Sequence, residues 1–204
     1  MIDRIRQFFI GKKEEPSKTT EEKIEELFNQ TFSVDIIRLE IGSDIAEFGD
    51  DICAEIAKFR DKIAETYGFI FPPVHVIQNN DFQENEIKLF IREKEVLNDF
   101  WIPNLENITK EMNKNLEWIY KEFIDEIFSN EFFEKIINKV QAENAWLIWN
   151  ISCQYTVTDM KKVFLNILKQ KKSIKNAKYI FEKIGELETE VSSETLSKII
   201  IEEI

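Results

Sequence analysis

Between Val34 and Val96 the hydrophobic period of the chain switches back and forth. Ile37, Leu39 and Ile41 alternate with Arg38 and Glu40, the period of a strand with one buried face. Ile52, Ile56, Phe59 and Ile63 then recur at steps of four, three and four, which is one face of a helix. Pro72-Pro73 closes that helical connection, and Val74-His-Val-Ile77 predicts a second strand. Ile87, Leu89 and Ile91 alternate again and predict a third. The pattern spells a small strand–helix–strand–strand α/β unit, on which the rest of the chain must pack.

After this unit the period is helical to the end. Leu97 to Asn107, with Trp101-Ile-Pro103 in its middle, reads as a connector. One stripe then runs from Leu116 through Ile119, Tyr120, Phe123 and Ile127 to Phe128. Ser129-Asn130 break it, and Phe132, Phe133, Ile136, Ile137 and Val140 begin another. Trp146 to Ile151 is a dense apolar cluster. Thr158, Ser173 and Ser193 stand where caps are needed for three more helices, carrying Val163 to Leu168, Phe181 to Ile184, and Leu196 to Ile200. These stripes predict five helices and a fold class of α/β plus α, with a mostly helical C-terminal half.

Upstream, Ile2, Ile5, Phe8 and Phe9 make a short amphipathic helix with basic neighbours. It reads either as an anchor for a membrane surface or partner, or as a terminal helix lying on the core. Gly11 to Thr20 is a polar linker. Thr19 and Glu22 have capping-box spacing ahead of a helix with Ile24, Leu27 and Phe28 inward. The division that follows is 1–30 for helix, linker and lead-in helix, 31–97 for the α/β subdomain, 98–107 for the connector and 108–204 for the helical subdomain.

Composition narrows the function. Apolar residues make up 43% of the 204, so core material is plentiful. With 27 basic against 39 acidic residues, the net charge of −12 repels phosphate. Nucleic acid and an anionic membrane face are therefore not expected as partners of the body of the protein, and the acidic balance suits a chain that meets basic protein surfaces. Membrane contact is expected only through the N-terminal helix. Cys53 and Cys153 form neither a disulfide framework nor a zinc motif, and the setting reads as reducing and cytoplasmic, with membrane association as a further option. No apolar run reaches the ~20 residues of a membrane helix.

Chemistry is sparse. His75 is the single histidine, on a strand beside valines and without an identifiable nucleophile. The five glycines have neither dinucleotide nor phosphate-loop spacing. Asp44, Asp50 and Asp51 do not fit a calcium loop, and Asp50 and Asp51 suit a helix start better. The four lysines within Lys169–Lys175 suit a helix C-terminus and lack interleaved aromatics. No catalytic residue, metal ligand or cofactor site is expected.

Longer strings add a resemblance. Leu39-Glu-Ile-Gly42, Gly68-Phe69, Pro72-Pro73-Val74, Asn79, Asn85-Glu86 and Glu95-Val96 follow one another in fixed spacing. A second block has Val163-Phe-Leu-Asn-Ile-Leu168, Ser173-Ile-Lys-Asn176 and Tyr179-Ile-Phe-Glu182. Together they resemble the cytosolic domain of the type III secretion and flagellar export-gate family (the FHIPEP family), over roughly residues 34–96 and 108–200. The resemblance implies a protein-binding module without enzymatic activity, with export-apparatus subunits as partners and homo-oligomeric assembly. It also exposes departures. The membrane-spanning half is absent from this sequence, several tens of family residues after Val96 shrink to about eleven, and the last subdomain is cut short at Ile204. An alternative reading is the same scaffold reused as an adaptor in an unrelated bacterial multi-protein or defence system. A third is an enzyme built on the α/β unit. For a binding face the candidates are Phe100, Trp101 and Trp146, large aromatics that either anchor a partner or fill the space between the two halves.

Overall fold

The computed structural model describes residues 35–186 and 191–203. The N-terminal and lead-in helices expected within residues 1–30 lie outside the described residues.

The first strand, β1 (Ile37–Ile41), buries Ile37, Leu39 and Ile41 and turns Arg38 and Glu40 to the opposite face, as its alternation requires. A single-turn helix, α1 (Ser43–Ala46), and a long helix, α2 (Gly49–Tyr67), connect it to β2 (Val74–Gln78). Asp50 and Asp51 occupy the first turn of α2, where the helix dipole favours acidic side chains. β3 (Glu86–Ile91) and β4 (Lys94–Phe100) follow. The sheet has the order β2-β1-β3-β4, with β1 and β2 parallel and the other neighbours antiparallel.

Two local features differ from the pattern reading. The helix before the prolines ends at Gly68, whose φ of +74° makes it a left-handed cap, rather than at Pro72-Pro73. The stretch from Leu97 to Phe100, expected as connector, is the second half of β4. The hairpin joining β3 to β4 turns on Arg92 and Glu93, both at positive φ (46° and 66°). Such turns ordinarily advertise themselves by Asn-Gly or Asp-Gly, and neither is present. Side-chain tethers hold the turn instead: Arg92 Nε donates to the Glu126 carbonyl (3.0 Å), and Arg38 Nη1 donates to Glu93 (2.7 Å). A bulge between Leu89 and Phe90 adds a second irregularity to the β4 pattern.

The remainder is helical: α3 (Leu105–Glu122), α4 (Ile124–Ile127), α5 (Asn130–Glu143), α6 (Ala145–Ser152), α7 (Val157–Lys169), α8 (Ala177–Gly185) and α9 (Ser193–Glu203). The long stripe to Phe128 breaks at Phe123 into α3 and α4, and the Trp146 cluster forms a helix of its own. All three expected caps shift in position. Thr156, not Thr158, caps α7 in a capping box with Asp159, and Asn176, not Ser173, caps α8. The Ser192 carbonyl and hydroxyl accept the first free amides of α9, while Ser193 is its first helical residue.

One contiguous core runs from the sheet through all the long helices. Phe69 and Phe71, both fully buried, stand at the crossing between the two halves. The Phe69 ring lies 5.7 Å from Phe128 and 5.4 Å from Phe132, and Tyr67 stacks on Tyr120 at 5.6 Å. The extended segment after Gly68 thus buries alternate aromatics, Phe69 against the helical half and Phe71 against Phe59 of α2, leaving Ile70 between them on the surface.

Candidate protein-interaction surface

The three expected aromatics come to different ends. Trp101 is 1% exposed and belongs to the core. Its backbone amide donates to the Asn85 carbonyl at 3.0 Å, which continues the strand pairing past β4 and turns the indole inward. Of the two ends expected for it, anchoring a partner or filling the interior, Trp101 takes the second. Phe100, one residue earlier on the exposed side of the edge strand β4, is half exposed, and Ile102 and Leu105 beside it are also exposed. Alternation along an extended chain explains the contrast.

Trp146 lies on the first turn of α6, capped by Asn144, whose side chain accepts from Leu147 N at 3.2 Å. The sequence reading missed its companion, Trp149. Three residues apart on a helix the two indoles are neighbours, and they stack with centroids 4.8 Å apart. They are 69% and 58% exposed, while Ile148 and Ile151 on the opposite face enter the core. The signal was present in Trp146-Leu-Ile-Trp149, since a helix apolar all round must leave some of its apolar side chains in water when only one face finds a core. No ring contact among the described residues joins Phe100 to the tryptophan pair.

The sheet face opposite the core is polar and laced with ion pairs and hydrogen bonds. Arg38 lies over the Phe90 ring at 4.4 Å and its Nε stands 3.0 Å from Glu40, close enough for ionic pairing without hydrogen-bond alignment. Asn79 Nδ2 donates to Glu40 at 2.8 Å, and Lys88 lies between Glu86 and Glu95 at 3.7 Å from each. His75 is exposed on β2, its Nδ1 2.7 Å from Asp35. Cys53 and Cys153 are both exposed and unpaired with each other. Among the described residues no three His, Cys, Asp or Glu side chains come together as metal ligands. Burial pushes the Tyr120 hydroxyl up, and its ring packs against Tyr67 and Phe69 beside the core. No described helix is long and apolar enough to cross a membrane.

The fold thus defines an α/β-plus-helical scaffold with exposed aromatic patches. The model of the FHIPEP family matches residues 6–113. This chain belongs to the FHIPEP family. No curated protein matches it. Among solved structures, the Chlamydia pneumoniae CdsV protein aligns with a TM-score of 0.67 and 13% identity, over 82% of this chain and 66% of that one. The Shigella flexneri MxiA protein aligns at 0.61 and 16%, over 81% and 63%. Nonameric EPEC SctV-C aligns at 0.66 and 14%, over 83% and 65%. The chain spans just under two thirds of the length of these solved proteins.

Proposed function

We propose that this chain is a non-enzymatic protein-interaction module of a type III secretion or flagellar export apparatus, acting on the cytoplasmic side. Family membership supports the setting. The observation that carries the binding role is the stacked Trp146–Trp149 pair left in water on α6. Tryptophan anchors dominate interface energetics, and an aromatic pair this exposed is costly to keep uncovered. Phe100 with Ile102 and Leu105 offers a second, smaller patch. CdsV has been solved with CdsO, and EPEC SctV-C as a nonamer, which supports protein partners and assembly with copies of itself as the uses of such faces. Affinity capture from the native cell tests the setting: export-apparatus subunits should co-purify. Recovery of an unrelated multi-protein system instead would overturn the secretion reading in favour of an adaptor role.

A further inference from the structure

A groove of about 520 Å³ runs where the segment after Gly68 meets α5 and the start of α8. Its walls carry four lysines, Lys135, Lys139, Lys175 and Lys178, against one acidic residue, Glu143. That balance runs opposite to the chain as a whole, which carries −12. Lys135 is held by Glu131 (2.6 Å), and the Lys175 ammonium donates to the Glu65 carbonyl. Lys139 and Lys178 are exposed and have no ion-pair partner among the described residues. α8 opens in the groove at Asn176 and Ala177, and its dipole adds positive potential.

The floor is apolar. Ile70 is 59% exposed, held out by its fully buried neighbours Phe69 and Phe71, and Phe132 and Ile136 are only partly covered. An apolar floor between basic rims selects against a bare anion, which has no use for the floor. It also selects against a neutral apolar segment, which leaves the lysines unanswered. We propose that this groove docks an acidic amphipathic segment of a partner protein, with apolar side chains on Ile70 and carboxylates on Lys139 and Lys178. Neither Trp146 nor Trp149 lines this groove, so the proposal goes beyond the function proposed above.

The test uses a fluorescein-labelled helical peptide of roughly 15 residues alternating Leu and Glu at amphipathic spacing, and a Lys-for-Glu counterpart with the same leucines. Fluorescence anisotropy with the full chain should show binding of the acidic peptide alone, weakening as salt rises. Lys139→Glu/Lys178→Glu should lower affinity at least about ten-fold, and Ile70→Ser should lower it at unchanged salt dependence. Equal binding of the two peptides, or undiminished binding by the lysine variant, would falsify the proposal. So would full displacement by inorganic phosphate at matched ionic strength, which would reduce the groove to an anion site. Loss of binding in Trp146→Ser/Trp149→Ser would move the peptide to α6 and overturn the assignment as well.

Discussion

At the scale of single residues, two neighbours can differ completely in what their removal costs. Trp101 is buried and Phe100 half exposed; Trp101→Ala is therefore expected to destabilise by about 3–5 kcal/mol, the usual range for emptying an aromatic site. Trp146→Ala removes a ring of similar size from water and should stay within about 0.5 kcal/mol. Paired thermal melts of the two variants distinguish core from surface, and a large loss for Trp146→Ala would count against the exposed pair. Gly68 supplies a sharper case. A side chain there must adopt a left-handed backbone, costing about 1–2 kcal/mol. An added Cβ would also stand 2.9 Å from the Lys175 backbone nitrogen. Gly68→Ala should thus lose more than 1–2 kcal/mol in urea titration. Because Lys175 walls the groove, the same variant should also disturb peptide binding.

At the scale of elements, α7 is the helix whose start is most fully specified. Thr156 Oγ1 donates to Asp159 at 2.6 Å and accepts from the Asp159 amide at 3.2 Å. The Thr156 hydroxyl, then its backbone amide, hold the Asp159 carboxyl below the ordinary carboxylate range. A carboxylate with a depressed pKa contributes stability above its unfolded pKa of about 4, lost as pH falls through the folded value. Thr156→Ala should therefore cost about 1 kcal/mol near neutral pH. The gap to the parent chain should narrow in urea titrations as pH falls below about 4. A gap that stayed constant with pH would show that the cap contributes no charge-dependent stability. The C-terminal α9 docks on α7 through Leu196 and Ile200, with Asn166 Nδ2 donating to Ser197 at 2.9 Å.

At the scale of the molecule, Phe69 decides whether the two halves behave as one. It touches rings from the extended segment, α3 and the α4–α5 region. Phe69→Ala should cost about 3–5 kcal/mol and lower the melting temperature by roughly 10 °C. Because the core is continuous, sheet and helix signals should still be lost together, and separate transitions by far- and near-ultraviolet circular dichroism would refute that. Self-association is a property of the same scale. A mass above the monomer is expected by light scattering at high concentration, falling in Trp146→Ser/Trp149→Ser.

What the sequence by itself determined is local: which faces of β1 and β3 are buried, the stripe of α2 and the stripes of the later helices. These follow from periods of two and 3.6, which need only neighbours along the chain. Its spaced strings also pointed to the family. It missed β4 because the hairpin turns on Arg92 and Glu93, held by Glu126 and Arg38 from distant segments rather than by turn chemistry. It grouped Trp101 with Phe100 because alternation continues past a strand end only when a partner, here Asn85, continues the pairing. Lys135 and Lys139 are far in sequence from Lys175 and Lys178, and nothing in the pattern joins them. Only the tertiary structure sets them around Ile70, because the burial of Phe69 and Phe71 leaves the residue between them on the surface.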